Sequence, residues 1–580
     1  PIDFNGQEDS LAPYRDNISS AEVKHLLDKV AFGGNYDLQQ LGETQGLNAL
    51  VDRLLLNNVP APVPDPNVNF GQGGVDRHYL DNYLTENDVF WAKKTVIYTH
   101  GDRPNVPIWT MSSLQHPQFH RFLFSESPFA EWMLVNLANH FATNLNGIFF
   151  SLQPYYHYGL VQHWDLLKYG VLGNFQTLAE GMALDPAMNY WLNNKDNHVW
   201  SPNQNYGREM LELFILGPKN IYTQAPNYGE DSIIASTGFV SGFYETNIWG
   251  VPLEQRPQWV MPHDSPPRTQ DVIVMRFGDA GSHDNTQRRI FAGLGSAEAF
   301  TNFTHKQLVA HTLYNHPQAK IYIAERFAGM MLYPGITQAM ATELGNTLVS
   351  NGYEMRPFYK KILTSQAMFS ERSRGSCVDS PIEHLGKLAR KMFKFSTLAR
   401  LQTGPINPYD PWNIETMDPS TKLLETLFRG ASASGQRMFE SPSVFGWKGT
   451  CNVNRNGSVS YGEGWISAQK LLNRSRACMD FMDSLKNTGY NLRSGLGLWD
   501  GITIYQFLDY ISKEFFNVTL TEAEMRKIAT LFVRTKSTWR VPPLRDPLTV
   551  ELPLDNEYML WGKLPRSICL MSEMIEANRR

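Results

Sequence analysis

The stretch SPNQNYGREMLELFILG, from Ser201 to Gly217, gives the strongest indication of the fold. Its apolar residues recur every three to four positions, as on one face of a helix. Asn203 or Asn205 can cap the start of this helix, and Gly217 can stop its end. Similar patterns recur along most of the chain, and strand-like runs are short. The sequence therefore predicts a mainly α fold, with a large multi-helical architecture, long ordered loops and at most a few short strands.

The predicted helices fall into two regions. We divide the chain into an N-terminal arm at 1–20, a main helical domain at 21–395, and a C-terminal helical region at 396–580 that packs on it. The main domain includes a long loop at 243–290, which is rich in Pro, Trp, Asp and Gly. One β-like run at 272–275 predicts a single hairpin within that loop.

Composition excludes several classes of protein. The 580 residues include 52 Lys plus Arg and 57 Asp plus Glu, for a formal net charge of −5, without a long basic run. Phosphate binding needs a clustered positive field, so we do not expect a nucleic-acid-binding protein. Charged residues make up 19% and aromatic residues 12%, a balance opposite to that of disordered chains. No apolar run is long enough to predict a transmembrane helix.

The chain has four cysteines, whose spacing fits no zinc site. An even number in an exported chain permits one or two disulfides, with three pairings if all four take part. Buried free thiols are the alternative. The four are Cys377, Cys451, Cys478 and Cys569.

Two carboxylates are the candidate chemical groups of the 201–217 stretch. Glu209 and Glu212 are three residues apart, so a helix places both on one face. Asn205 lies one turn before Glu209, and Arg208 has the i,i+4 spacing that pairs it with Glu212. Such a stripe can bind a cation or act as acid and base. A structural network in which Arg208 neutralises Glu212 is the alternative.

Further candidates lie in two other stretches. His140 lies near the end of a predicted apolar helix within the run from Trp132 to Asn144. A lone histidine on such a helix is usually a core residue. His263 and Asp264 are neighbours in the long loop and could complete a site formed elsewhere. No zincin, nucleophile-elbow, P-loop or dinucleotide-binding fingerprint is present.

These stretches resemble a large bacterial family catalogued as domain of unknown function 1800. The similarity runs from about residue 20 to at least 475, with several motifs in the same order. The segments that carry it are 128–144, 173–194, 202–217, 263–268 and 441–465. The resemblance implies a largely helical protein exported to the periplasm, the cell surface or the medium. It also implies a neighbour from a second exported family, domain of unknown function 1501.

At six positions this chain has a neutral residue where the family pattern has an ionisable one. A neutral amide keeps its hydrogen bonds but cannot exchange a proton or give a metal a full anionic charge. If the family has a histidine-rich metal centre, part of it is missing here. The six positions are Ala130, Ala138, Gln176, Asn193, Gln204 and Gln224.

These neutral positions and the aromatic content favour an exported binding or structural protein, associated with itself or with a companion of the 1501 type. The alternative is a metal-dependent extracellular enzyme, a hydrolase or an oxidase. A third hypothesis is structural calcium in loop 243–290 or 450–464, although neither has EF-hand spacing.

In the enzyme hypothesis the residues have the following roles. The ligands of a divalent metal are His140, Glu209, Glu212 and His263. The candidate catalytic groups are Glu209, Glu212, Asp264 and Glu131. The residues expected to be structural are Asn205, Arg208, Trp447 and Trp465.

Overall fold

The computed structural model describes most of the chain, and helices dominate the described part, so the expected mainly α class is confirmed. The described ranges are 10–56, 118–119, 121–144, 157–247, 273–277, 281–291, 299–300, 304–393, 419–447, 449–453, 458–533 and 546–572. His263 and Asp264 lie outside them.

The α-helices span Ser20–Val30, Tyr36–Leu54, Pro128–His140, His157–Leu172, Phe175–Ala183, Pro186–Trp191, Asn205–Glu209, Glu230–Phe239, His305–Asn315, Ala319–Met331, Gln338–Ser350, Met355–Leu363, Pro381–Met392, Pro419–Ala433, Ala468–Asn487, Leu492–Gly495, Ile504–Phe515, Glu522–Val533 and Leu564–Ser572. Two π-helical segments span Met210–Ile215 and Tyr558–Lys563. Short 3₁₀ turns span Asn194–Asp196, Gln366–Phe369, Glu463–Trp465 and Pro547–Thr549.

The strands of the described residues form three two-stranded antiparallel sheets. The longest pairs Phe243–Asn247 with Ile273–Phe277, so that Phe243 lies opposite Phe277. This pairing confirms a strand at the β-like run of 272–275, but residues 248–272 separate it from its partner, so the two strands are not joined by a short hairpin turn. The other pairs are Arg288–Arg289 with Ala299–Phe300 and Cys451–Val453 with Val459–Tyr461.

The first helix shows how local sequence sets an element. Ser19 accepts a hydrogen bond from the Glu22 amide, and the Glu22 side chain accepts one from the Ser19 amide, so the helix begins with a capping box. The described part of the predicted arm is anchored, because the Tyr14 amide donates to the Thr364 carbonyl at 2.7 Å. The Tyr14 hydroxyl also donates to Glu22 at 2.5 Å.

One apolar core connects the N- and C-terminal parts of the chain. Its buried residues run from Leu11 to Met571 and form a single contiguous cluster. The predicted boundary at residues 395 and 396 lies outside the described ranges, so the division into domains stays a prediction.

Two disulfides cross-link the C-terminal half of the chain. Cys377 pairs with Cys451 and Cys478 with Cys569, over sequence separations of 74 and 91 residues. Closing loops of this length stabilises a fold by about 4 kcal/mol each in the chain-entropy model. Among the described residues, no helix is both long and apolar enough to cross a membrane.

Candidate functional site

The 201–217 stretch is less regular than predicted. Its α-helical part, Asn205–Glu209, changes into a π-helix at Met210–Ile215, and we call these two segments together the motif helix. A π-helix closes i→i+5 hydrogen bonds and winds more widely than an α-helix. The helix predicted within Ser201–Gly217 is present, but its second half is a π-helix, so Glu209 and Glu212 lie on opposite sides of the change. Gly217 ends the helix with a left-handed φ of 79°, as predicted.

Arg208 organises the charges of the motif helix. Its guanidinium lies 3.5 Å from the Glu212 carboxylate, which matches the predicted i,i+4 pair. It also donates to Glu230 at 2.9 Å and to the Gln204 side chain at 3.1 Å. The side chains of Arg208 and Glu230 are 36% and 60% exposed, so water screens most of this network. The carboxylate of Glu212 thus has a cationic partner.

A glycine fixes the position of the motif helix. A Cβ atom at Gly207 would lie 2.8 Å from both the Ser236 hydroxyl and the Thr237 amide of the neighbouring helix Glu230–Phe239. The two helices can lie this close only because Gly207 has no side chain, since real Cβ atoms do not come so close to backbone atoms. Close packing at Gly207 therefore contributes to this helix–helix contact alongside the Arg208–Glu230 ion pair.

Glu131 is held in a buried network near the start of helix Pro128–His140. Its carboxylate accepts from Arg121 Nε at 2.7 Å and from Gln118 Nε2 at 2.7 Å, and the residue is 1% exposed. Gln118 in turn accepts from the Trp164 indole at 2.8 Å. Both oxygens of Glu131 are engaged, so the geometry favours a structural role over that of a general base.

His140 is a core histidine. Its Nε2 lies 2.9 Å from the Phe214 carbonyl, and its ring packs against Phe141 and Phe327 at centroid distances of 4.7 and 5.4 Å. A carbonyl only accepts, so Nε2 carries the proton. Burial and the charge of Arg326 lower the pKa of His140 to about 3. The ring is therefore neutral at physiological pH.

The described residues do not fit a metal at His140. Nε2 is committed to a carbonyl, and the surrounding rings of Phe141, Phe175, Phe214 and Phe327 offer no metal ligands. Within the described ranges, no group of three His, Cys, Asp or Glu side chains could hold an ion. The proposed ligand His263 and candidate base Asp264 are not described, so a metal set that includes them stays a prediction.

Two of the segments that carry the family resemblance, 128–144 and 441–465, contact each other at Asn139. Its side-chain oxygen accepts from the Trp447 amide at 2.8 Å, and a Cβ at Gly446 would clash with that oxygen. Trp447 and Trp465 form a small buried cluster with Val378, close to the first disulfide in sequence. The structural role expected for both tryptophans fits this packing.

Three of the neutral replacements act as hydrogen-bonding amides. Gln204 accepts from Arg208, Gln176 donates to Glu180 at 2.7 Å, and Gln224 donates to the Ile221 carbonyl at 2.9 Å. Each amide retains a local contact without adding a charge.

A cluster that the sequence analysis did not single out joins three separate elements. Thr143 Oγ1 lies 3.0 Å from His163 Nε2, and His163 Nδ1 lies 2.9 Å from Asp185 Oδ1. Thr143 follows helix Pro128–His140, His163 lies within helix His157–Leu172, and Asp185 caps helix Pro186–Trp191. We call Thr143, His163 and Asp185 the buried triad, because they are 5%, 1% and 3% exposed.

The signals for the buried triad are scattered along the sequence. Thr143 ends the apolar run that contains His140, and Asp185 before Pro186 has the pattern of a helix N-cap. Both lie in segments that carry the family resemblance, at 128–144 and 173–194. His163 lies between those segments within an apolar helix, where no spacing rule distinguishes it from a core histidine.

Comparison with known proteins supports the family assignment. The model of a family described as "Protein of unknown function (DUF1800)" matches residues 25–555. No curated protein and no solved structure matches the chain. Because the family match covers most of the sequence, the resemblance is confirmed, and this chain belongs to the DUF1800 family.

Proposed function

We propose that this chain is an exported protein that works by binding a partner at the cell surface or outside the cell. The observation that carries the proposal is that all four cysteines are paired in disulfides. Disulfides persist in oxidising compartments such as the periplasm and the extracellular space, and are rare in the cytosol. An exported protein fits this cysteine usage.

An exposed tryptophan supports the binding role. Trp200 is 67% exposed and stacks on the His198 ring at a centroid distance of 4.9 Å. A bridge between His198 and Ser201 closes the turn, and the Val199 amide donates to the Ser282 carbonyl at 2.9 Å. A rigid exposed indole loses little conformational entropy on binding, and tryptophan is enriched at the centres of protein interfaces. The partner we infer is a second copy or a companion exported protein.

Light scattering during size-exclusion chromatography of the native protein tests the binding role. We expect a mass above that of a monomer, which Trp200→Ala reduces. Trp499→Ala is the matched control, because that indole is 44% exposed but packs on the edge of Tyr510 at 5.6 Å. A monomeric wild-type protein without a bound companion, or equal effects of both substitutions, would contradict the proposal.

Thiol alkylation tests the compartment separately. Cells that make the protein from its natural gene are treated with an alkylating reagent before and after reduction. We expect no labelled cysteine before reduction and four afterwards, with the protein outside the cytoplasm. Labelled cysteines in the unreduced protein would count against export.

A further inference from the structure

We propose that the buried triad is an acyl-transfer site for a short-chain carboxylic ester, with Thr143 as nucleophile, His163 as general base and Asp185 as the residue that orients it. This activity goes beyond partner binding, because it depends on buried groups and not on the exposed Trp200 indole. The two hydrogen bonds of the triad, at 3.0 and 2.9 Å, lie within the reach required of a nucleophile and its base.

The partners of His163 determine which nitrogen carries the proton. A carboxylate only accepts hydrogen bonds, so the Asp185 contact places the proton on Nδ1. In a neutral imidazole Nε2 is then an acceptor, and the Thr143 hydroxyl donates to it. The hydroxyl proton therefore points at the base that would remove it, which is the polarity that nucleophilic catalysis requires.

Neighbouring contacts hold the triad in place. Asp185 Oδ1 also accepts from the Met188 amide at 2.7 Å, and the Asn189 side chain donates to the Asp185 carbonyl at 2.8 Å. At the other end, the Thr143 carbonyl accepts from the Ser441 amide at 3.3 Å. Such outer contacts fix the positions of catalytic groups before substrate binds.

Burial limits the size of the substrate. The three residues are at most 5% exposed, and a threonine nucleophile adds its own methyl group beside the reacting oxygen. The site therefore favours a small acyl group such as acetyl. Low exposure also strengthens the electrostatic interaction of His163 with Asp185 once the imidazole is charged.

The reaction is a two-step transfer. Thr143 Oγ1 attacks the ester carbonyl carbon while His163 Nε2 takes its proton, and the resulting imidazolium is stabilised by Asp185. The carbon–oxygen bond to the leaving alcohol then breaks, and His163 returns the proton to that oxygen. A water molecule, deprotonated by His163, releases the acid from Thr143 and regenerates the hydroxyl.

Acetylation by p-nitrophenyl acetate tests the proposal on the full-length protein. After acid quenching, we expect mass spectrometry to find an acetyl group on the peptide that contains Thr143. Thr143→Ser should retain the adduct, whereas Thr143→Val should remove it and lower p-nitrophenol release about 1000-fold or more towards the background rate. Asp185→Asn should slow acetylation by a factor on the order of 10⁴.

Thr312→Val is the matched control. Thr312 is also buried, but its hydroxyl donates to the Leu308 carbonyl at 2.7 Å and not to a histidine. Absence of acetyl on the Thr143 peptide of the folded wild-type protein would overturn the proposal. Equal rates for wild type and a folded Thr143→Val protein would also overturn it. If Thr143→Val does not fold, the wild-type adduct and its retention in Thr143→Ser decide the question.

Discussion

The motif helix and the buried triad use similar chemical groups in opposite ways. In the motif helix, Arg208 forms ion pairs with Glu212 of the same helix and with Glu230 of the next one, and the pair with Glu230 is largely solvated. In the buried triad, three groups from different elements form two hydrogen bonds away from water. The first network is partly local, because Arg208 and Glu212 are four residues apart, whereas both contacts of the second join residues 20 and 22 positions apart.

This difference indicates which of the two regions is better arranged for proton transfer. An exposed ion pair is weakened by solvent and ions, so its groups behave nearly as they do in water. A buried hydrogen-bonded chain is costly to break, and its groups keep a fixed direction. The stretch most visible in the sequence is therefore not the one best arranged for proton transfer.

Asp185→Ala should have the largest effect on stability. It removes the His163 partner and the cap of helix Pro186–Trp191, so we expect a loss of about 3–5 kcal/mol in the free energy of unfolding. Urea titration followed by circular dichroism measures this change. Asp196→Ala is the control, because the Asp196 side chain is 60% exposed and, within the described ranges, forms an ion pair only with Lys195. Equal losses would remove the distinction between buried and exposed networks.

Glu325 extends the comparison to a buried carboxyl that receives no hydrogen bond from a cation in the described part of the chain. Its Oε2 finds no hydrogen-bond partner among the described residues, and burial raises its pKa to about 7. The folded pKa exceeds the unfolded value, so stability falls as pH rises from about 4.5 to about 7 and then levels off.

Glu325→Gln should therefore stabilise the protein by about 3 kcal/mol at pH 8 and have little effect at pH 4. Urea titrations of both proteins at the two pH values measure the difference. A stabilisation that is equal at both pH values would show that the carboxyl does not titrate as described.

Gly207→Ala separates packing from charge within the motif helix. Alanine normally favours a helix over glycine by about 1 kcal/mol, but here the new Cβ would meet the backbone of Thr237 at 2.8 Å. We expect a net loss of about 1–2 kcal/mol from overpacking. Gly329→Ala is the control, since its Cβ would have ordinary contacts of 3.5 Å or more and should not destabilise. A stabilising Gly207→Ala would refute the packing account.

Arg208→Ala should have the smallest effect. Its ion pairs are screened by solvent, so we expect a loss below about 1 kcal/mol that shrinks further in 1 M salt. Thermal unfolding at low and high salt measures this dependence. A loss as large as that of Asp185→Ala would contradict this account, because the exposed ion pairs of Arg208 would then contribute as much to stability as the buried triad.

The sequence predicted the elements whose causes are local. Gly217 ends the motif helix as its position predicted, and the strand Ile273–Phe277 follows from its β-like run. The π-helical half of the motif helix was missed, because apolar spacing does not distinguish i→i+4 from i→i+5 bonding.

The candidate site was predicted only in part, since its contacts are long-range. Arg208 and Glu212 are four residues apart and were paired correctly, whereas His163 and Asp185 are 22 residues apart and come from different helices. His140 and His163 look alike in sequence, yet one donates to a carbonyl and the other lies between a carboxylate and a hydroxyl. Only the fold separates these two environments.

The central claim is that His163 donates from Nδ1 and accepts at Nε2. Nuclear magnetic resonance of protein labelled with ¹⁵N in histidine tests this claim most directly. We predict that the neutral imidazole of His163 carries its proton on Nδ1 and not on Nε2, with a far-downfield Nδ1 proton that Asp185→Asn shifts or removes. The Thr143→Val spectrum should assign the Nε2 signal by its change. A His163 protonated on Nε2 in the folded wild-type protein would contradict the account, because Thr143 could not then donate to it.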